Sequence, residues 1–317
     1  MGKRSSVYIW QFTALQFSKK IWIEGSLIYG NQGERKVHTT WMGHFIEVLL
    51  SYFRKPAARE ELKIRTGTEE TTLQTDRKGG FSCLLNHFEM DELQISHHGE
   101  HLELPGGYPA YFPQNGAALE VVSDLDDTVL HSYTTSVLKR MYSILFVLPR
   151  KRKAVAYTYQ LMEWFKRQDI RVTYLSKSES NLYELIYAFI NTQELPQGAL
   201  LLSPYLKLHQ LPKPKKGKDY KYNHLHTLLT EQPTKKFILV GDDTQRDMEV
   251  YTAIIREHPD RIIKVFIRQS SMGRNKKQEQ LWEELQDTGV AATYFADGDE
   301  TRAAIDSLTS LFMRSTV

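Results

Sequence analysis

Downstream of residue 117 the chain alternates, five times over, between a short run of apolar and β-branched residues and a stretch whose apolar positions recur at helical spacing. The runs are Leu119 to Ser123, Arg171 to Leu175, Ala199 to Leu202, Phe237 to Val240 and Ile262 to Ile267. The helical stretches are Ala154 to Arg167, Asn181 to Ile190, Tyr222 to Leu229, Arg246 to Ile255 and Lys276 to Leu285. Strands this uniformly apolar need cover on both faces, and amphipathic crossover helices supply it. An α/β fold follows: a Rossmann-like parallel sheet with flanking helices, ending in a further strand and helix over Thr293 to Phe312.

Ahead of this half, Val7 to Phe17, Lys20 to Tyr29, Glu61 to Arg65, Thr71 to Gln74, Phe81 to Leu85 and Leu93 to Ser96 are rich in Ile, Val, Thr and aromatics, several with alternating polarity. They predict an N-terminal β-sandwich domain. Phe45, Val48, Leu49 and Tyr52 recur at helical spacing before Pro56, which predicts one helix, Trp41 to Phe53, packed on it. Pro105-Gly106-Gly107-Tyr108-Pro109, Pro113 and Asn115-Gly116 concentrate backbone breakers in what reads as an exposed connection. The expected domains are residues 1–116 and 117–317.

Charge and composition exclude more than they assign. With 41 Lys and Arg against 38 Asp and Glu the net charge is +3, too little to draw nucleic acid, so no nucleic-acid partner is expected. The single cysteine, Cys83, rules out an intramolecular disulfide framework and suits a reducing compartment, where it reads as a small buried apolar residue. No apolar stretch is long enough to span a bilayer and the N-terminus shows no secretory core, so the expected location is cytoplasmic.

Four places on the strand and helix framework carry chemistry. The first strand runs into Asp124-Leu125-Asp126-Asp127-Thr128. Residues two apart share a face of an extended chain, so Asp124 and Asp126 project together beyond the carboxyl end of the strand, where open α/β sheets bind ligands. Carboxylates this close repel unless a cation lies between them or one holds a proton. At the second strand end, Ser176 offers a hydroxyl that can donate to a phosphoryl oxygen, while Ser178 or Ser180 caps the next helix. Lys221 opens the helix carrying Leu225, Leu228 and Leu229, and its ammonium would offset negative charge nearby. The fourth strand ends in Gly241-Asp242-Asp243: the glycine permits close backbone approach, and the acids are hard oxygen ligands of the kind Mg2+ takes. Singly, each place also reads as ordinary structure: an Asp-rich turn, a serine N-cap, a solvated lysine, an acidic helix start.

Together they run in the order acid pair, hydroxyl, lysine, acid cluster, and this resembles the four motifs of the haloacid dehalogenase superfamily. Within that superfamily, Leu119 to Arg268 resembles the phosphatidate phosphatase catalytic-domain family known from a fungal actin-patch protein and bacterial relatives. Ser123 to Thr128 matches its Ser-Asp-x-Asp-Asp-Thr motif. Tyr174 to Leu182 matches aromatic-x-Ser-x-Ser-Pro-x-x-Leu, with Glu179 in place of the proline. Tyr220-Lys221 stands where the family has His-Lys, with Leu225 four residues on. Phe237 to Tyr251 follows the Phe-Ile-Leu-Ile-Gly-Asp-Ser-Gly-Gln-x-Asp-Pro-Glu-x-Tyr run with Asp243, Thr244 and Met248 substituted, and Arg261-Ile262 and Ile267-Arg268 close the match.

The resemblance implies a haloacid dehalogenase-like fold and hydrolysis of a phosphomonoester, a lipid phosphate foremost. It implies Mg2+ held by Asp124, the main-chain carbonyl of Asp126, and Asp242. Asp124 would attack phosphorus and Asp126 carry the proton. Thr128, Ser176, Ser178, Lys221 and Arg268 would meet the phosphate, while Asp243 and Asp247 orient Lys221 and metal-bound water. It also implies a β-rich N-terminal domain, and a cap in the insertion at about 131–153. That insertion is apolar between basic pairs and, with Lys213 to Lys218, offers contact with an anionic lipid or membrane surface, which would make the protein peripheral at membranes; it reads equally as a buried segment with a solvated basic turn. Two rivals stay open: a phosphatase for a soluble sugar phosphate or nucleotide, and a catalytically inactive lipid- or protein-binding module. The intact acid set argues against the second, since a binding protein has no need to hold like charges together.

Overall fold

The computed structural model describes residues 6–30, 46, 49–67, 69–86, 88–126, 128–129, 155–205, 218–244, 246–270, 273–296 and 299–315. The insertion at 131–153, the basic run over 213–217, Asp127 and most of the helix expected over 41–53 lie outside them. The described residues fall into two compact units, one drawn from Met1–Gln114, Ser178–Ala188 and Leu201–Lys213, the other from Asn115–Lys177, Phe189–Leu200 and Pro214–Val317.

In the first unit, β1 (Val7–Gln16) and β2 (Lys20–Tyr29) form a long antiparallel pair. With β5 (Gly80–Asn86) and β8 (Tyr111–Phe112) they make a sheet of order β5-β2-β1-β8. A second sheet, of order β4-β3-β6-β7, joins β3 (Glu61–Thr66), β4 (Glu69–Gln74), β6 (Leu93–His97) and β7 (Glu100–His101). The alternation expected of half-buried strands is clearest in β3, where Leu62, Ile64 and Thr66 are buried and Glu61, Lys63 and Arg65 exposed. Both sheets feed one core, Ile9, Phe12, Ile21 and Ile23 packing with Leu62, Ile64 and Ile95. Cys83 is half-buried against that core, and burial pushes its thiol up to about 11. Gly79, at φ 77°, makes the tight entry into β5, where a Cβ would collide with the Leu27 carbonyl.

The stretch 105–116, expected to be an exposed connection, is only partly so. Tyr108 and Phe112 are buried, and the Tyr108 ring stacks on Tyr187 at 5.9 Å while Tyr183 meets it edge-on at 6.5 Å. Proline and glycine punctuate this segment, but the aromatics between them carry enough apolar area to hold it down.

The second sheet system is the expected parallel one. β9 (Leu119–Ser123), β10 (Arg171–Glu179), β11 (Ala199–Ser203), β12 (Lys236–Asp242), β13 (Ile262–Arg268) and β14 (Ala292–Phe295) lie in the order β11-β10-β9-β12-β13-β14. Numbered from β9 this is 3-2-1-4-5-6, the doubly wound arrangement whose strand order reverses between the first and fourth strands. Helices α1 (Ala156–Arg167), α2 (Tyr183–Thr192), α3 (Lys218–Glu231), α4 (Asp247–Glu257), α5 (Lys276–Gln286) and α6 (Arg302–Ser315) alternate with them. All five residues of β9 are buried, as a central strand covered on both faces requires. Among the described residues no helix is long and apolar enough to cross a membrane.

At the amino end of this sheet, Glu120 and Arg171 stand opposite each other in register and are paired at 2.6 Å. Gln232 completes the group, donating to Glu120 at 3.0 Å and accepting from Arg171 at 2.9 Å. Removing one member of a buried ion pair strands the other in low dielectric, whereas replacing both is far less costly. Arg171→Leu is therefore expected to lower unfolding free energy by about 3–5 kcal/mol in urea titrations. Glu120→Leu with Arg171→Leu should lose clearly less than the single variant; an equal loss would mean that packing rather than charge sets the cost.

Candidate active site

The register between β9 and β12 sets Ser123 beside Val240, and the Asp124 amide donates to the Val240 carbonyl at 2.8 Å. The residues following these strands therefore emerge side by side at the switch point of the sheet. One oxygen each of Asp124, Asp242 and Asp247 lies within 4.8 Å of the others, and all three residues are buried. Lys221, in the first turn of α3, puts its Nζ 2.6 Å from Asp124 Oδ1 and 2.5 Å from Asp247 Oδ1. Thr128 Oγ1 lies 3.2 Å from Asp124 Oδ2 and 3.4 Å from Asp242 Oδ2, and its carbonyl accepts from Thr158 of α1 at 2.8 Å. Ser176 Oγ donates to Asp126 Oδ2 at 2.9 Å, while the Thr244 amide and hydroxyl both donate to Asp242 Oδ1 at 2.5 Å.

Gly241 makes this closeness possible. A Cβ there would stand 2.8 Å from Asp247 Oδ2 and 2.8 Å from the Tyr251 ring, so the bare Cα lets the start of α4 press against the strand end. Tyr251 in turn donates to the Val240 carbonyl at 2.9 Å.

Burial governs the electrostatics. It pushes the Asp124 carboxyl well above the usual range, helped by the charges of Asp247, Asp242 and Asp126 and resisted by Lys221. Asp242 is raised by burial and then by Asp247, against Lys221 and the Thr244 donors. For Lys221 burial alone would favour the neutral amine, but Asp124 and Asp247 outweigh it and hold the ammonium charged. Lys177 also belongs to this field: burial lowers its pKa and Lys221 adds to that, while Asp247, Asp124 and Asp242 oppose. Carboxyls are thus crowded at one buried point, where burial and their mutual repulsion oppose ionisation and Lys221 favours it. A divalent cation would relieve that crowding, and an all-oxygen donor set is one that hard cations take.

Asp124, Thr128, Lys221, Asp242 and Asp247 are thus brought together, with Asp126 and Ser176 joined to each other beside them. Asp247 lies among the clustered carboxylates as well as on Lys221, whereas the Asp126 carboxylate is engaged by Ser176. Asp243 is placed differently from the expectation that it orients Lys221. Its carboxylate accepts from the Ser270 amide at 3.0 Å and the Tyr294 hydroxyl at 2.7 Å, towards β13 and β14. Arg268, the last residue of β13, pairs with Asp242 in register and is buried. Ser178 is buried within β10, which runs on to Glu179 rather than stopping at Leu175, so it occupies a strand and not a cap; its carbonyl accepts from Ser203 at 3.2 Å. The position before the 3-10 turn Ser180–Leu182 is Glu179, without a side-chain cap bond. Tyr220, the family histidine's replacement, lays its ring 4.0 Å from that of His224. Sequence reasoning passed over Lys177, although its place next to Ser176 at a strand end was the available signal.

Strand order and paired acids at the switch point agree with a domain of the haloacid dehalogenase type. Residues 119–269 match the family model described as phosphatidate phosphatase APP1, catalytic domain. Among curated proteins, the phosphatidate phosphatase APP1 of Saccharomyces cerevisiae is 26% identical over 164 residues, half of this chain and 27% of the relative. An uncharacterized protein of Schizosaccharomyces pombe is 22% identical over 158 residues, 47% of this chain and 25% of the relative. The chain therefore spans about a quarter of the length of the curated relatives it matches. A solved structure, the class C acid phosphatase from Bacillus anthracis with tungstate bound, superposes with a TM-score of 0.32 and 15% identity over 62% of this chain and 79% of that one, too low a likeness to bear on the argument.

A carboxyl whose folded pKa is raised contributes stability that is full below about pH 4, where it is protonated folded and unfolded, and that is lost as pH rises through the folded value. Asp242→Asn cannot ionise yet keeps an oxygen for the Thr244 donors. In chelator its stability advantage over wild type should grow from near zero at about pH 4 to on the order of 2 kcal/mol at pH 7, and vanish in excess Mg2+. Urea unfolding at several pH values measures this; an advantage that shrinks as pH rises contradicts the shared-charge description.

Proposed function

We propose that this chain is a Mg2+-dependent phosphomonoester hydrolase working through an aspartyl-phosphate intermediate, with a lipid phosphate as its substrate class. The observation that carries the proposal is the buried constellation of Asp124, Asp242 and Asp247 around the Lys221 ammonium. The family match over residues 119–269 supports phosphate-ester hydrolysis, and the yeast relative's name is the support for a lipid substrate. In the same reading residues 1–116 are an accessory β-sandwich domain and 117–317 the catalytic domain, peripheral at membranes; the core shared by the two N-terminal sheets supports the sandwich.

Asp124, the Asp126 carbonyl and Asp242 would hold the cation, with Asp247 within reach. When bound, the cation would offset the crowded carboxylates and the charge of the phosphoryl oxygens. An Asp124 oxygen attacks phosphorus in line, the bond to the leaving alkoxide breaks, and Asp126 gives that alkoxide its proton. Water then attacks the phosphoryl-aspartate, its proton passes to Asp126, and inorganic phosphate leaves with Asp124 restored. Thr128, Ser176 and Lys221 bind the remaining phosphoryl oxygens, and Asp247 positions Lys221 through its 2.5 Å ion pair. Ser178 and Arg268 would serve the phosphate less directly, one in the strand beyond Ser176 and the other beside Asp242.

Wild type is expected to hydrolyse p-nitrophenyl phosphate with Mg2+ and not in chelator, and Asp124→Asn to fall to background. Asp126→Asn should lower kcat roughly 100- to 10,000-fold, and Lys221→Met roughly 100- to 1,000-fold. Phosphatidate, lysophosphatidate, sugar phosphates and nucleotides assayed side by side test the substrate class: turnover of a sugar phosphate with phosphatidate inert would end the lipid reading. Activity undiminished in Asp124→Asn would end the mechanism.

A further inference from the structure

In the first unit, β6 and β7 are joined by the two-residue turn His98-Gly99, with φ of 51° and 84°. Positive φ at both positions is the hairpin turn for which Asn-Gly is preferred, and histidine is among the non-glycine residues that also tolerate the first place. Its effect is on direction. Successive side chains of a strand point to opposite faces, and in extended chain His97 and His98 would diverge. The left-handed backbone of His98 instead brings its ring centroid to 4.1 Å from that of His97. Both Nε2 atoms then face the same oxygen, Glu60 Oε2, at 2.8 Å for His97 and 3.7 Å for His98. Three ligand atoms from Glu60, His97 and His98 lie within 4.8 Å of one another. The other Glu60 oxygen accepts from the Tyr29 hydroxyl, and the Lys55 ammonium lies 4.8 Å from the Tyr29 ring centre.

We infer that Glu60, His97 and His98 form a binding site for a divalent transition-metal ion of the zinc class. Two imidazole nitrogens and one carboxylate oxygen make a ligand set that suits zinc and its neighbours rather than magnesium or calcium. Tetrahedral ligands at zinc bond lengths stand roughly 3.3 Å apart. The two distances to Glu60, 2.8 and 3.7 Å, straddle that spacing, and the two histidine ligand atoms lie within 4.8 Å of each other, so modest side-chain shifts open the seat. Exposure is graded, 9% for His97, 21% for Glu60 and 44% for His98, which leaves an entry path on the His98 side and a fourth position for water. The Tyr29 hydroxyl fixes the carboxylate as outer partners of metal ligands do. A plain histidine–carboxylate hydrogen bond accounts for His97. It leaves His98 beyond bonding distance and does not account for its ring turning towards the same oxygen.

The test uses the full chain in excess Mg2+, which occupies the acid site, with Co2+ followed by visible absorption and Zn2+ by calorimetry. His98→Asn removes one ligand while supplying the residue the turn prefers, so the hairpin is retained. Because His226, Glu257 and His258 form a similar, more open trio in the second unit, His226→Gln serves as the background in which sites are counted. Wild type on that background is expected to bind one equivalent more than His98→Asn, and Tyr29→Phe to bind it roughly 10- to 100-fold more weakly. In chelator, His98→Asn should unfold in urea at or above the wild-type midpoint, showing that the lost binding is not lost folding. Equal stoichiometry and affinity with and without His98, or no cobalt spectrum in its presence, would overturn the site.

Discussion

The ammonium of Lys221, between Asp124 at 2.6 Å and Asp247 at 2.5 Å, is the contact on which the carboxylate site depends. Without it three buried acids would meet at the sheet end with no cation in direct contact among the described residues, and the least costly response would be protonation or separation. The lysine opposes the burial that pushes Asp124 and Asp242 upward, and so keeps ionised carboxylates within reach of a cation. A helix element distant in sequence from both aspartates therefore sets what kind of chemistry their positions can support.

Much of this was legible because parallel sheets advertise themselves. Strands buried on both faces must be apolar throughout, so Leu119 to Ser123 and Phe237 to Val240 announced themselves, and the acids that break each run marked its carboxyl end. Strand ends made of polar residues were harder to see. β10 continues through Ser176, Lys177 and Ser178 to Glu179, because hydroxyls and a lysine stem can be buried at a site where their polar atoms find partners.

Other features depended on partners far away in the chain. The pairing of Tyr111–Phe112 with Ala14 and Leu15 is parallel and non-local, with no turn signal to betray it. The direction of the Asp243 carboxylate is set by Tyr294 and Ser270, neither of which sequence spacing connects to it. Convergence of His97 and His98 required a left-handed backbone at a non-glycine position, which the residue names do not reveal.

The buried group of Glu120, Arg171 and Gln232 at the amino end of the sheet has a consequence at the opposite end. Burial forbids a one-residue slip of the sheet's strands but not a two-residue one, which preserves facing and moves a strand by about 6.6 Å. A charged pair admits one alignment. By refusing every other, it acts as a datum mark for β9 against β10, so the meeting of Asp126 and Ser176 at the carboxyl end is referenced to a guanidinium at the amino end.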